Sequence, residues 1–301
     1  MNELVSAVVT TYKREPEIVK RALDSVVSQT YRPLEIIVVD DSPQDYNLRD
    51  DVKKLIETYE EDICYIQHET NSGACAARNT GLKLSHGKYI AFLDDDDEWI
   101  KDKIEKQVDA FRSDDIVFVY CPIWSVDDAT GKRKLRYTKF YEGYIYPQLM
   151  YSNFVGSTSF PLIRKKTLED IGGFDLLMPA SQDYDVWIRL AQKHKVACIA
   201  EPLGIYHWHD GEQISKDPKK KIIARERIYE KNIDYINKDR RVRWHRMVYS
   251  TPEYAKNMQL GKALSVWSKA VTLCPLNIYT NIRYLWRTVK AYISALSARK
   301  G

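Results

Sequence analysis

The sequence predicts an α/β fold in which a mostly parallel sheet is flanked by helices. Through the first half of the 301-residue chain, short apolar and β-branched runs alternate with helical patterns, which is typical of such folds. The runs are nearly continuous in apolar residues, as expected of strands that are buried on both faces. Five candidate strands are predicted at residues 4–9, 34–39, 63–67, 89–93 and 116–121.

Helical spacing connects these strands and recurs at the end of the chain. Between the first two strands, Ile18, Ala22 and Val26 fall on every fourth residue, and Pro16 suits the first turn of a helix. This pattern predicts a β-α-β unit. Apolar residues with the same periodicity predict further helices over residues 75–85, 101–112 and 186–194, and two amphipathic helices over 260–274 and 278–296.

The composition excludes several classes of protein. Hydrophobic residues make up 44% and charged residues 29% of the chain, so a disordered or low-complexity protein is not expected. We find neither an apolar run of about 18 residues nor the charged and apolar regions of a signal peptide, and therefore expect a cytoplasmic protein. The five cysteines are odd in number and lack a C-x-x-C pair, which favours reduced thiols over a disulfide framework or a metal cage.

The net charge of +4 divides unevenly along the chain. Residues 1–215 contain 26 Lys and Arg against 36 Asp and Glu, a net charge of −10, and residues 216–301 contain 20 against 6, a net charge of +14. We therefore predict an α/β domain over 1–215 and a basic, amphipathic helical extension over 216–301.

The basic extension suits an anionic partner. On the last predicted helix Arg283, Arg287 and Lys290 share a face, and Trp286 and Tyr284 lie beside an apolar stripe. This composition favours peripheral binding to an anionic membrane surface. The alternative is a helical hairpin that packs on itself and leaves its cations solvated. No recognised nucleic-acid module accompanies the charge, so no nucleic-acid partner is expected. The apolar stripe itself is predicted at Ile278, Ile282, Leu285, Val289, Tyr292 and Leu296.

Acidic residues follow two of the predicted strands. Residues 94–97 are four consecutive aspartates after the fourth strand, and Asp40 and Asp41 follow the second. The carboxyl ends of parallel strands share one crevice, where carboxylates suit a hard divalent cation such as Mn²⁺ or Mg²⁺. The alternatives are a solvated acidic loop in which Asp97 caps a helix, and an Asx turn at residues 40 and 41. A third cluster, Asp183 and Asp185, enters a helix that begins near residue 186.

Seven motifs in order resemble family-two inverting glycosyltransferases, which have the nucleotide-sugar-binding GT-A fold with a Rossmann-like sheet. The resemblance covers residues 4–215. The motifs are VVTTYKRE (8–15), ALDSVVSQTY (22–31), EIIVVDDS (35–42), NSGACAARNTGL (71–82), YIAFLDDDDEW (89–99), GGFD (172–175) and QDYDVWIRL (182–190).

The resemblance implies a role for individual residues. Asp41 would accept a hydrogen bond from the nucleotide base with support from Asp40, and Asp94 or Asp95 would reach a sugar hydroxyl, the ribose or a metal-bound water. Asp96 would be the direct ligand of the metal. The residues implied to line the nucleotide-sugar site are Thr10, Tyr12, Asp40, Asp41, Gly73, Arg78, Asp94 and Asp95.

Asp183 matches the catalytic base of the family, which takes the proton from the acceptor hydroxyl. His209 lies where related enzymes often have a histidine and would contact the metal or the diphosphate, although a packing or surface role is equally compatible with its position. Gln182 stands where the family pattern often has Glu, a departure that concerns acceptor contacts.

The predicted function is metal-dependent transfer of one sugar from a nucleotide donor, most simply a UDP-sugar, to a hydroxyl of a glycan or lipid-linked oligosaccharide in bacterial surface polysaccharide synthesis. The Gln-x-x-Arg-Trp element of processive synthases is absent, since Arg240 stands where that element needs Gln. A sugar nucleotidyltransferase is an alternative, but residues 10–14 lack the glycine-rich phosphate loop expected of one. An inactive, membrane-associated scaffold is a third possibility.

Overall fold

The chain forms two units in a computed structural model that describes residues 2–208 and 217–298. The first unit comprises Met1–Tyr146, Asn153–Leu176 and Asp183–Asp210, and the second comprises Pro147–Ser152, Leu177–Gln182 and Gly211–Gly301. Two short segments from the middle of the chain thus belong to the C-terminal unit. The predicted domain boundary, between residues 215 and 216, lies within 209–216. These residues are outside the described part of the chain, so the boundary stays a prediction.

The described part of the first unit contains both strands and helices, and residues 217–298 contain only helices and their connections. The strands are β1 (Val5–Thr11), β2 (Leu34–Asp40), β3 (Ile63–Gln67), β4 (Tyr89–Asp94), β5 (Asp97–Trp99), β6 (Ile116–Tyr120), β7 (Ile123–Asp127), β8 (Arg133–Arg136), β9 (Leu162–Arg164), β10 (Lys195–Cys198) and β11 (Gly204–Trp208). The helices are α1 (Pro16–Val27), α2 (Arg49–Ile56), α3 (Ala74–Leu84), α4 (Lys103–Asp109), α5 (Tyr146–Leu149), α6 (Lys165–Asp170), α7 (Gln182–Ala191), α8 (Pro218–Lys231), α9 (Ile233–Lys238), α10 (Arg240–Lys256), α11 (Leu260–Leu273) and α12 (Ile278–Ser297).

A seven-stranded sheet forms the centre of the first unit, in the order β10-β6-β9-β4-β1-β2-β3. All neighbouring strands are parallel except β9, which is antiparallel to both β4 and β6. A smaller sheet has the order β5-β11-β7-β8. The mostly parallel α/β architecture predicted from the sequence is confirmed, and each of the five predicted strands forms within two residues of its predicted bounds.

The register of the central strands places three strand ends together. Thr11 pairs with Asp40 of β2, and Thr10 pairs with Asp94 of β4. The ends of β1, β2 and β4 therefore meet at one edge of the sheet, as predicted. Burial on both faces holds for β1 and for the inner part of β2 but is wrong for β3, because β3 is the edge strand and has a neighbour on one side only.

The predicted helices of the first unit form, with shifts at their ends. Helix α1 has Pro16 in its first turn and buries Val19, Leu23 and Val26 against the sheet. Helix α7 begins at Gln182 rather than near residue 186. Asp183 and Asp185 consequently lie in its first turn, where carboxylates are favoured by the helix dipole.

The two predicted C-terminal helices also form, and the predicted apolar stripe of α12 divides between two environments. Leu285, Tyr292 and Leu296 are partly buried, whereas Ile278, Ile282 and Val289 face solvent, and Tyr284, expected beside the stripe, is buried. This orientation arises because α12 packs on α10 through Asn281 and Thr288, whose side chains contact Trp244 and Thr251. Within the described parts of the chain, none of the helices combines the length and the apolarity that crossing a bilayer requires.

Candidate active site

The edge of the sheet where β1, β2 and β4 end carries the predicted carboxylates. Asp40 ends β2, Asp41 follows it, and Asp94 ends β4. Thr10 is partly buried near the end of β1, and Tyr12, just beyond that strand, is 41% exposed. The sheet thus brings together residues from three separate motifs of the sequence.

Two arginines pair with three of the four consecutive aspartates. The guanidinium of Arg14 donates from Nε to Asp95 Oδ1 at 2.7 Å and from Nη2 to Asp96 Oδ2. Arg78, which is buried on α3, donates from Nη2 to Asp94 Oδ1 at 2.6 Å. Bidentate and charge-assisted pairs of this kind hold carboxylates in fixed positions. The repulsion that the sequence implied is therefore relieved in part within the protein.

Burial changes the acidity of two of these carboxyl groups, those of Asp95 and Asp97. Burial raises the pKa of Asp95 to about 7, because the opposing effect of Arg14 only partly offsets desolvation and the neighbouring Asp96 charge adds to it. Burial also raises the pKa of Asp97 well above its ordinary value, with the charges of Asp96 and Asp94 acting in the same direction and Ser159 against them. Asp97 lies in β5 and is buried, so the predicted solvated loop with Asp97 as a helix cap is wrong.

Asp41 organises the loop that leads into α3. Its Oδ1 accepts from the backbone amide of Ser72 at 2.8 Å and lies 2.7 Å from His68 Nδ1, and its Oδ2 accepts from the amide of Gly73 at 2.8 Å. Gly73 has a φ of +86°, a conformation that favours glycine. The structure thus places Asp41 and Gly73 side by side, and contact of Asp41 with a nucleotide base stays a prediction.

Asp40 and Tyr12 are tied to their neighbours in a similar way. Asp40 is buried, accepts from the hydroxyl of Tyr65 at 2.8 Å, and lies 3.9 Å from Arg49 Nε. The amide of Tyr12 donates to Asp95 Oδ2 at 3.1 Å, which leaves its ring exposed at the sheet edge. An exposed aromatic ring held by its backbone suits stacking against a planar group.

Asp183 lies at the start of α7 and is held by Asn153. Asn153 Nδ2 donates to Asp183 Oδ2 at 2.8 Å, while Asn153 Oδ1 accepts from the amides of Val155 and Gly156. Asp183 is partly exposed at its surface but is surrounded by protein atoms, and this desolvation raises the pKa of its carboxyl to about 6. The charges of Arg78 and Asp94 also act on Asp183, in opposite directions. A carboxylate with this pKa accepts protons readily near neutral pH.

The carboxylates at the sheet edge suit a hard divalent cation. The side chains of Asp94 and Asp96 are 28% and 17% exposed, so both carboxylates lie in part at the protein surface. In residues 2–208 and 217–298, no three His, Cys, Asp or Glu side chains lie close enough to form a metal cage. Mg²⁺ sites in phosphate-transferring proteins commonly use one or two carboxylates, with substrate oxygens and water completing the shell. The donor set therefore fits such an ion.

The histidine predicted as a second ligand, His209, lies outside the described residues. His207, two positions earlier, has its Nε2 close to Glu98 and its Nδ1 close to Asp128. Burial lowers the pKa of His207, but the hydrogen bonds to these two carboxylates outweigh it and raise the pKa overall. The side chain of His207 is thus held by two carboxylates of the first unit.

Sequence reasoning missed Arg14 and Asn153. Arg14 belongs to the motif at 8–15, but its carboxylate partners lie more than 80 positions away. Asn153 lies two positions beyond a tyrosine-rich stretch, residues 137–151, in which the sequence shows no clear helical or strand periodicity. Neither residue carries a local signal for its role.

The family model of glycosyl transferase family 2 matches residues 6–172. Among curated proteins, the Escherichia coli "UDP-Glc:alpha-D-GlcNAc-diphosphoundecaprenol beta-1,3-glucosyltransferase WfgD" is 30% identical over 202 residues, which cover 65% of this chain and 73% of that protein. The chain spans only 38%, 35% and 58% of the length of three similar uncharacterized glycosyltransferases of Rickettsia.

Solved structures share the fold at low identity. The Staphylococcus aureus TarS 1–349 structure in complex with UDP-GlcNAc superposes with a TM-score of 0.67 at 15% identity, covering 98% of this chain and 91% of that one. The mannosyltransferase PcManGT of Pyrobaculum calidifontis, in complex with GDP-Man and Mn²⁺, gives a TM-score of 0.59 at 17% identity, covering 98% and 86%. The predicted GT-A-like fold and the predicted family are confirmed: the chain belongs to glycosyl transferase family 2.

Proposed function

We propose that the chain transfers one sugar from a nucleotide donor to a hydroxyl group of an acceptor, with inversion at the anomeric carbon. Family membership supports the reaction class. A UDP-sugar donor is supported by the activity for which WfgD is named and by the UDP-GlcNAc held by TarS, whereas PcManGT holds GDP-Man. A sugar nucleotidyltransferase has no comparable support.

The observation that carries the proposal is the state of Asp183. Its pKa of about 6 leaves most of the carboxyl groups ionised at neutral pH while keeping them basic enough to accept a proton. Asn153 fixes one oxygen by donating to Oδ2 at 2.8 Å. A positioned carboxylate near the Arg78–Asp94 ion pair is what proton abstraction beside a leaving diphosphate requires.

In the proposed reaction, Asp183 takes the proton of the acceptor hydroxyl as that oxygen bonds to the anomeric carbon. The bond from this carbon to the diphosphate oxygen breaks on the opposite face, and the nucleoside diphosphate leaves with the bonding electrons. Arg78, which Asp94 holds by a 2.6 Å hydrogen bond, presents positive charge near the developing negative charge. Thr10, Tyr12, Asp40, Asp41, Gly73, Asp94 and Asp95 would bind and orient the nucleotide sugar.

We propose that Asp96 would hold the divalent cation, Mn²⁺ or Mg²⁺, with His209 as a further ligand. When bound, such an ion neutralises charge on the leaving diphosphate. The support is the accessible oxygen donors at the end of β4 and the Mn²⁺ present with PcManGT.

For the acceptor, we propose a glycan or a lipid-linked oligosaccharide in bacterial polysaccharide synthesis. The support is the similarity to WfgD, which is named for a diphosphoundecaprenol-linked GlcNAc acceptor. The missing Gln-x-x-Arg-Trp element favours addition of one sugar per encounter. Cytoplasmic action stays a prediction.

The test compares Asp183→Asn with the unchanged chain. Differential scanning fluorimetry with UDP-Glc, UDP-GlcNAc or GDP-Man, each with Mn²⁺, first identifies a donor that raises the melting temperature. Release of nucleoside diphosphate is then measured with water as the acceptor. We expect Asp183→Asn to lower kcat about 10²- to 10⁴-fold while the donor still shifts the melting temperature.

The matched control is Asp170→Asn, which changes an exposed carboxylate that pairs with Lys166 at 2.7 Å. It should retain full activity. If Asp183→Asn kept kcat within a few-fold of the unchanged chain, Asp183 would not be the base. If activity survived complete chelation of divalent ions, the role given to Asp96 would be wrong.

A further inference from the structure

Helix α12 exposes an apolar stripe along its outer face. Ile278, Ile282, Trp286, Val289 and Ile293 follow one another at steps of four, four, three and four residues, and each is between 42% and 62% exposed. These steps place all five on one face of a helix. Leu276 in the preceding turn and Tyr279 extend the apolar surface, at 93% and 78% exposed. We name these seven residues the α12 outer face.

The opposite side of α12 is fixed by polar contacts. Trp244 Nε1 donates to Asn281 Oδ1 at 2.9 Å, and Asn281 Nδ2 donates to the carbonyl of Cys274 at 3.0 Å. Thr288 Oγ1 lies 2.8 Å from Thr251 Oγ1 of α10. Rotating α12 to bury its outer face would leave these buried groups without partners. The exposure of the apolar stripe is therefore built into the packing of the helix.

Cations flank the α12 outer face and carboxylates are missing from the same segment. Residues 254–301 contain no Asp or Glu. Arg283, Arg287 and Lys290 are exposed on α12, and no carboxylate of the described residues forms an ion pair with them. The ammonium group of Lys290 lies 5.1 Å from the centre of the Trp286 ring, so charge and apolar surface adjoin directly.

We propose that the α12 outer face and its three flanking cations dock on the surface of an anionic phospholipid bilayer. Apolar side chains of an interfacial helix enter the boundary between headgroups and acyl chains, while Lys and Arg contact the lipid phosphates. A second copy of the chain is a poorer occupant, since symmetric pairing would bring the same cations together. This inference uses the C-terminal unit alone and does not depend on the proposed catalytic function.

The test is co-sedimentation of the full chain with vesicles of phosphatidylcholine, with and without phosphatidylglycerol. We expect binding to the anionic vesicles that weakens with salt and little binding to the neutral ones. The double variant Ile282→Ser/Trp286→Ser should lower the partition coefficient about tenfold or more, because each change removes apolar area from the bilayer boundary. Arg283→Gln/Lys290→Gln should lower it by a similar factor at low salt.

Two matched controls change residues of the same types elsewhere in the C-terminal unit. Ile223→Ser removes an apolar side chain on α8 that is 47% exposed, and Lys238→Gln removes an exposed cation on α9. Both should bind vesicles as the unchanged chain does. Equal binding by all variants, or no binding to anionic vesicles by the unchanged chain, would overturn the proposal. So would a dimer in analytical ultracentrifugation that the Trp286 change abolishes.

Discussion

The acidic edge of the central sheet and the outer face of α12 both gather like charges, but only at the sheet edge do oppositely charged side chains pair with them. At the sheet edge, Arg14 and Arg78 bind three consecutive aspartates inside the protein. On α12, Arg283, Arg287 and Lys290 have no carboxylate partner among the described residues. Two arginines offset part of the charge of the aspartates within the fold, whereas the cations of α12 have no such partner among the described residues.

The same contrast holds for apolar surface. The core of the first unit contains large apolar side chains such as Trp187, Phe92 and Phe118, which are fully buried. Helix α12 buries Asn281 and Thr288 beside Tyr284 and exposes a row of apolar side chains. An apolar surface that remains exposed while polar groups of the same helix are buried indicates a site of interaction with another molecule or a membrane.

The largest effect on stability is expected from Arg78→Met. The side chain of Arg78 is 10% exposed, and its removal leaves the neighbouring aspartates with less positive charge. We expect the free energy of unfolding to fall by about 3 kcal/mol, as when one partner of a buried ion pair is deleted. Chemical denaturation measures the change.

Arg136→Met on the exposed strand β8 is the matched control for Arg78→Met. Its free energy of unfolding should change by less than about 0.5 kcal/mol. Adding Asp94→Asn to Arg78→Met should recover part of the loss, because it removes the unpaired charge. A loss as small as that of the control would show that solvent, rather than Arg78, stabilises the Asp94 carboxylate.

An intermediate effect is expected at Asn153, measured as the pH dependence of kcat. As the proposed base, Asp183 has to be ionised to accept a proton, so kcat should fall as the pH drops through about 6, the pKa that burial gives its carboxyl. Asn153→Ala removes a donor to the ionised form. The loss of a hydrogen bond worth about 1 kcal/mol should raise that pKa by about 0.7. The fall of kcat on the acidic side of the pH profile should then occur at a higher pH.

Asn153→Asp provides the comparison for that profile. It keeps the oxygen that accepts from the amides of Val155 and Gly156 but sets a second carboxyl beside Asp183. The fall of kcat at acidic pH should shift to a higher pH than in Asn153→Ala, because a neighbouring negative charge disfavours ionisation of Asp183. If both variants lowered kcat equally at every pH, Asn153 would have a structural role only.

The smallest effect on stability is expected on the α12 outer face. Ile282→Ser and Trp286→Ser should each change the free energy of unfolding by less than about 0.5 kcal/mol, since both side chains face solvent. On the buried side of the same helix, Asn281→Ala should reduce it by about 1–3 kcal/mol, because Trp244 Nε1 loses its acceptor. If Trp286→Ser destabilised the chain as much as Asn281→Ala, the outer face would be a packed surface.

Much of the fold follows from local patterns. The apolar runs predict the strands because a strand buried in a parallel sheet needs apolar side chains on both faces. The strand β3 departs from this expectation because it lies at the edge of the sheet. The burial of its side chains depends on which elements pack beside it, and its own sequence does not show this. The start of α7 was also misplaced by four residues, because Gln182 and Asp183 interrupt the apolar periodicity while still suiting a first helical turn.

The candidate site was predicted less completely than the fold. The motifs indicate that Asp94, Asp95, Asp96 and Asp183 belong to one crevice, and the structure brings the first three together with Arg14 and Arg78. The sequence could not distinguish the buried Asp95 and Asp97 from the more accessible Asp94 and Asp96. Adjacent residues in the same short run differ only because the turn after β4 directs alternate side chains inward.

The sequence by itself determined the alternation of strands and helices, the family motifs and the division into an acidic and a basic part, because each of these depends on local periodicity or on composition. Only the tertiary structure decided which cation neutralises which aspartate and which face of α12 remains in solvent. Arg14 reaches Asp95 because β1 and β4 are neighbours in the sheet. Likewise, α12 presents its apolar face outward because Asn281 and Thr288 find hydrogen-bond partners in α10. Both outcomes depend on contacts between residues far apart in the chain, which no local pattern contains.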